Sequence, residues 1–177
     1  MRAAIVTIST SKAHGQGQDE SGPALAALAR RLGAEIAAQE LIPDDRDLIS
    51  ERLRHWADEQ ACDLILTSGG TGFAATDVTP EATRAVIDRE APGIGEAMRA
   101  ASAPHTTHWM LSRALAGIRG RTLIVNFPGS PKSIGQTAEA IAPALPHALA
   151  LLAGQPTDHE SGAAASTGRE PVGDSSA

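Results

Sequence analysis

An α/β fold, a three-layer α/β/α sandwich around a mostly parallel sheet, is predicted by three features of the chain. Apolar strand-like runs alternate with helical patterns along most of its length, the order that favours parallel pairing with helices on both sheet faces. The 177 residues are 42% hydrophobic, a globular composition long enough for one domain with a sizeable core. Aromatics are scarce (Trp56, Phe73, Trp109 and Phe127), so that core is built from Ile, Leu, Val and Ala.

The elements follow in order. "RAAIVTIS", residues 2 to 9, reads as a buried strand, followed by the polar loop "TSKAHGQGQDES". "GPALAALARRLG" reads as a helix with Gly22 and Pro23 at its start, Gly33 at its end, and Leu25, Leu28 and Leu32 on one face. "AEIAAQELIP" is the second strand, and "DDRDLISERLRHWADEQA" a helix with Ile49, Leu53 and Trp56 at i, i+4 and i+7. "CDLILTS" is a third, buried strand. "TPEATRAVIDRE" reads as a helix capped by Thr79 with Pro80 first, "GIGEAMRAAS" as a further helix, and "MLSRALAGIRG" as a short helix ended by Gly117. "RTLIVNF" is a strand. The closing helix is capped by Ser130 with Pro131 first, and a kink or break is expected at Pro143 and Pro146. Residues 155–177 carry no periodicity and little bulky apolar content, so the expected folded domain is 1–154, followed by a disordered tail.

The formal net charge of −6 argues against a nucleic-acid-binding surface, which needs a basic face. It leaves room for a locally positive site, and with only Lys12 and Lys132 present, arginines such as Arg99 and Arg113 must supply it. The single cysteine, Cys62, allows no internal disulfide and reads as a packed thiol. Met1-Arg2 leads straight into strand-like sequence, and no apolar stretch has the length of a membrane span, so the expectation is a soluble cytoplasmic protein.

Three loops that leave strands carry unusual chemistry, and in open α/β sheets ligands sit beyond the carboxyl ends of strands. Ser68, Gly69, Gly70, Thr71 and Gly72 form a glycine-rich turn. Such a turn lets a ligand approach the backbone, and its successive N–H groups can cradle an anion. It is not a P-loop, since the G-x-x-x-x-G-K-[ST] spacing is absent, and a plain tight turn accounts for the glycines equally well. Asp44, in "LIPDD", and Asp77, after the glycines, would converge if both loops open at one sheet edge; such hard oxygen ligands suit Mg²⁺ together with substrate phosphate oxygens. A lone loop Asp is otherwise a cap or a solvated charge. "NFPGSPKS" turns at Pro128-Gly129 into a helix start at Ser130-Pro131, whose free N–H groups favour an anion. His105 and His108 lack a third residue at metal-site spacing. Arg113, beside Ser112, has the guanidinium fork that suits a phosphate.

Together, "LIPDD", "LTSGGTGFAATDVTPEAT", "EAPGIGEAMR", "LSRALAGIRG" and "LIVNFPGSPKSI" resemble, in order and spacing, the MogA/MoaB family of molybdenum-cofactor biosynthesis proteins, over residues 2 to 152. The resemblance implies the three-layer fold, a homo-oligomer (trimer or hexamer), and molybdopterin as substrate. In active members it implies Mg-ATP-dependent adenylylation of molybdopterin with release of pyrophosphate, the product passing on to a molybdate-insertion protein. It places the family's two acids on Asp44 and Asp77, catalytic and Mg²⁺-holding. Nucleotide and pterin contacts fall on Ser68, Gly69, Gly70, Thr71, Gly72, Thr79, Pro80, Glu81, Ser112, Arg113, Pro128, Gly129, Ser130 and Pro131.

Two positions depart from the family pattern. Many members carry Ser-x-Ser-Asp after the first strand, where this chain reads Thr7-Ile8-Ser9-Thr10, and many carry Arg where Thr76 precedes Asp77. These departures support the alternative, a molybdopterin-binding member with little or no adenylyltransferase activity. A nucleotide hydrolase is a third and more distant reading.

Overall fold

The computed structural model describes residues 1–155; the part of the expected tail at 156–177 lies outside the described residues. Strand β1 (Arg2–Ile8) is followed by a short helix α1 (Thr10–Ala13), helix α2 (Ser21–Arg31) and β2 (Glu35–Ile42). Helix α3 (Arg46–Arg54) runs on into a π-helical turn at His55–Glu59, and β3 (Leu64–Ser68), α4 (Thr79–Arg84), β4 (Arg89–Glu90) and α5 (Pro92–Ser102) come next. A 3₁₀ turn at Thr107–Leu111 leads into the hairpin β5 (Ala116–Arg119) and β6 (Thr122–Phe127), and α6 (Pro131–Ile141) and α7 (Leu145–Leu152) close the chain.

The six strands form one sheet in the order β2-β1-β3-β6-β5-β4. The first four are parallel; β5 and β4 run antiparallel at one edge. Alternation along β1 explains the three layers. Ala3 and Ile5 face α2, α5, α6 and α7, packing with Leu25, Met98, Ile134 and Leu145. Ala4, Val6 and Ile8 face the opposite way, onto Ile49, Leu53, Trp56 and Ala82. Because side chains alternate across a strand, one apolar run supplies both cores. The α/β sandwich expected from the sequence is the fold observed.

Five local expectations are corrected. The helix expected from "MLSRALAGIRG" is the end of the 3₁₀ turn and then β5. Residues 114–117 are all buried, as an interior strand demands, and Gly120 (φ +55°) with Arg121 makes the two-residue turn that pairs Arg119 with Thr122. Gly117 is needed where the strand crosses Ile87, since a Cβ there would stand 2.5 Å from its Cδ1. The helix expected over 79–90 ends at Arg84, and Arg89–Glu90 pairs with β5 instead. Part of the polar loop after β1 coils into α1, whose start is capped by the Ser9 hydroxyl. Thr79 does not cap α4, because its hydroxyl is directed to the glycine loop. Ser130 stands at the start of α6 but its side chain makes no capping bond. The closing helix breaks at 142–144, as its prolines require. Cys62 is buried, and burial pushes its thiol above the ordinary value.

Candidate functional site

All four parallel strands end at one edge of the sheet, and their loops are tied together in pairs. The Ser9 amide donates to the Ile42 carbonyl at 2.9 Å, and the Gly69 amide to the Phe127 carbonyl at 3.2 Å. The Ser68 hydroxyl donates to the Pro128 carbonyl at 3.0 Å. Gly69 takes φ +101° and a side chain there would run into the Ile8 carbonyl; Gly70 takes φ +61°. Only glycine meets both demands. Thr79 fixes the loop from below, its hydroxyl donating to the Gly69 carbonyl at 2.9 Å and its amide to the Gly70 carbonyl at 3.1 Å.

The consequence is a row of free donors. Among the described residues, the amide N–H groups of Gly70, Thr71 and Gly72 meet no protein acceptor. Successive unpaired backbone donors form a concave site for an anion.

An acid stands on each side of this row. A Cβ built on Gly70 would lie 3.1 Å from Asp44 Oδ1, and one on Gly72 would lie 2.8 Å from Asp77 Oδ2. Each carboxylate has one anchored oxygen. Asp77 Oδ2 accepts from the Ala74 amide at 2.9 Å. Asp44 Oδ2 accepts from both the amide and the hydroxyl of Thr10, each at 2.8 Å. Oδ1 of either acid has no hydrogen-bond partner among the described residues. The neighbouring Asp45 has a separate task, capping α3 by accepting from the amides of Asp47 (3.0 Å) and Leu48 (2.9 Å).

Arg113 braces the loop rather than pointing freely at a ligand. Its Nε donates to the Gly72 carbonyl at 2.7 Å, one terminal nitrogen donates to the Asp77 carbonyl at 2.5 Å, and the other pairs with Glu81. Its own amide donates to the Thr71 carbonyl at 2.9 Å. Burial pushes the Glu81 carboxyl up, but its own backbone amide and the Arg113 guanidinium outweigh this and hold it below the usual carboxylate range.

The loop forms one wall of a cavity of about 460 Å³. Of the residues expected from sequence, Gly69 to Gly72, Asp77, Ser112, Pro128 and Gly129 line it. Asp44 does not; it borders the loop at Gly70. Ser68, Thr79 and Pro80 are buried beneath the loop, and Glu81 and Arg113 flank a shallower groove beside Phe73. Ser130 and Pro131 open α6 without lining the cavity, whereas Ser133, one turn further in, does line it. The sequence reading missed the far wall: Met98 and Ser102 from α5, with Thr106, His108 and Trp109 around the 3₁₀ turn. A period-3.6 pattern assigns Met98 to the core, and nothing local distinguishes Trp109 from a surface residue. Among the described residues no group of three His, Cys, Asp or Glu is placed to hold a metal ion. No helix among them is long and apolar enough to cross a membrane.

Fold and site together define an α/β protein with a glycine loop, bordered by two acids, at the carboxyl ends of its parallel strands. Residues 4–147 match the family described as "Probable molybdopterin binding domain", and the chain belongs to that family. It is 48% identical over 115 residues to the molybdopterin adenylyltransferase of Helicobacter pylori strain J99, an alignment that spans 65% of this chain and 65% of that protein. It is 44% identical over 146 residues to the molybdopterin adenylyltransferase of Escherichia coli strain K12, spanning 80% of this chain and 73% of that one. The crystal structure of the molybdopterin biosynthesis enzyme MoaB from Thermus thermophilus is similar at a TM-score of 0.82 and 48% identity, covering 88% of this chain and 98% of that one.

Proposed function

We propose that this chain is a molybdopterin adenylyltransferase. A terminal phosphate oxygen of molybdopterin attacks the α-phosphorus of ATP; the new P–O–P bond forms as the bond to the leaving pyrophosphate breaks. Attack of one phosphate on another calls for positioning and charge neutralisation more than for a protein nucleophile. The single observation that carries the reading is the row of free N–H groups on Gly70, Thr71 and Gly72, with Asp44 on one side and Asp77 on the other. Those donors would hold phosphate oxygens. The cavity beyond them, with Met98 and Trp109 on its far wall, has room for a ring system.

Mg²⁺ fits the donor set, because it binds through one or two carboxylates plus substrate phosphate oxygens, and Asp44 and Asp77 each keep one oxygen uncommitted. When bound, it would neutralise charge on the phosphates and the departing pyrophosphate. The assigned contacts divide accordingly. Gly69 to Gly72, Ser112, Pro128 and Gly129 face the ligand, and Ser68, Thr79, Pro80, Glu81 and Arg113 hold the loop in shape. Ser130 and Pro131 aim the start of α6 towards it. The reading includes a homo-oligomer, trimer or hexamer, a cytoplasmic setting, and hand-over of the adenylylated pterin to a molybdate-insertion protein.

The alternative is a molybdopterin-binding protein with little or no turnover. Thr76 favours it: it is exposed on the loop where the family pattern carries an arginine able to meet a phosphate. Pyrophosphate release from Mg-ATP, measured with and without molybdopterin, separates the two. Release only with molybdopterin is expected. Molybdopterin binding without release would establish the binding-only reading, and nucleotide loss without pterin would indicate a hydrolase.

A further inference from the structure

Thr10, the first residue of α1, makes three hydrogen bonds with Asp44 across the ends of β1 and β2. Its amide and its hydroxyl both donate to Asp44 Oδ2 at 2.8 Å. Its hydroxyl oxygen in turn accepts from the Asp44 amide at 2.9 Å. A threonine hydroxyl has one proton and two lone pairs, so here it donates and accepts at once, within a closed ring. The Ser9 amide ties the two strand ends at Ile42, but only Thr10 fixes the Asp44 side chain, and a loop carboxylate in the open would sample several rotamers. In this arrangement Oδ2 is occupied twice over. Oδ1 is left without a partner, beside Gly70.

The position also matters for charge. An acid in place of Thr10 would set a second negative group against Asp44, and the site would gain an oxygen but lose the clamp. With threonine, a single carboxylate is held in one orientation by a neutral partner. Holding a ligand group ready in this way removes ordering cost from the binding event.

We propose that Thr10 is a positioning residue. It locks the Asp44 carboxylate through Oδ2, so that Oδ1 alone is presented to a magnesium–nucleoside triphosphate at the glycine loop. The proposal rests on the reading of that loop as the nucleotide site.

Isothermal titration with Mg-ATP, and with ATP in excess chelator, tests it without turnover. Thr10→Val removes the hydroxyl and keeps the shape and the amide bond; Thr10→Ser keeps the hydroxyl. Thr10→Val is expected to weaken Mg-ATP binding by about tenfold, the usual cost of losing a group that orients a metal ligand. Metal-free ATP and molybdopterin should bind it as they bind the parent, and Thr10→Ser should return Mg-ATP binding to within about twofold of the parent, since the same orienting bond is restored. In an Asp44→Ala background, Thr10→Val should add nothing. Equal Mg-ATP affinity for parent and Thr10→Val overturns the proposal. Equal weakening of Mg-ATP and metal-free ATP overturns it too, being the mark of a loop tether only. Should Thr10→Val fail to fold, Thr10→Ala carries the same expectations. A parent chain that binds no Mg-ATP overturns the nucleotide reading and the proposal with it, a result distinct from parental binding that the substitution leaves untouched.

Discussion

Arg113 shows how one residue organises a loop. Four bonds from this residue reach Thr71, Gly72, Asp77 and Glu81, so it ties the loop to its acid. Lysine would keep the charge but lose the planar fork that reaches several partners at once. Arg113→Lys is therefore expected to lower kcat/KM for adenylylation by roughly tenfold or more, about 1.4 kcal/mol, with the fold intact by circular dichroism. The Glu81 partner gives this brace a pH dependence. Its folded value is depressed below the ordinary 4.5, so its stabilisation is present above that pH and is lost as pH falls through the folded value. With Glu81 partly exposed, the effect stays within about 1 kcal/mol. Melting temperatures of the parent should fall more steeply below pH 4.5 than those of Glu81→Gln; parallel profiles would remove the pair from the stability balance. For Asp77, substitution by asparagine should abolish turnover while molybdopterin still binds. Unchanged turnover would exclude Asp77 from the chemistry.

At the level of elements, the loop between β2 and α3 divides two adjacent acids between two tasks. Asp45 caps a helix, and Asp44 faces the glycines. Asp45→Ala should cost about 1 kcal/mol in urea denaturation and leave turnover intact. Asp44→Ala should do the reverse, and a shared loss of activity would show that the cap also shapes the site. The same region shows what sequence can display. The strands β1, β3 and β6 were legible because each is an unbroken apolar run between turn residues, and α3 because Ile49, Leu53 and Trp56 keep helical spacing. β5 was not, because "ALAGI" has the small residues of a helix, and its strand conformation is imposed by pairing with β6 on one side and β4 on the other. The signal for it lay in Gly120, where alanine would have to adopt φ +55°. Gly120→Ala should destabilise the domain by about 1 kcal/mol.

For the whole molecule, the expectation of a folded domain at 1–154 makes a direct prediction. A chain ending at residue 154 should melt at the same temperature and turn over at the same rate as the full chain; a large drop in melting temperature would extend the domain. The two tryptophans supply a probe of the site, since Trp56 is buried in the π-helical turn that continues α3 and Trp109 lines the cavity. Molybdopterin should quench the intrinsic fluorescence, and Trp109→Phe should abolish the change. One wall of the cavity was legible, as glycines with Asp77 a few residues further on. The other wall is brought in by α5 and the 3₁₀ turn, some thirty residues further along, and only folding unites them. The close approach of Gly69 to the Ile8 carbonyl, at φ +101°, has a consequence for how such chains diverge. This position is glycine because the neighbouring strand end leaves no space, whatever the loop binds. A lineage that abandoned the reaction would still be compelled to keep it, so its persistence marks shared ancestry and packing. The trace of lost catalysis would be sought instead at Asp77 and Asp44, which the framework does not oblige to remain acidic.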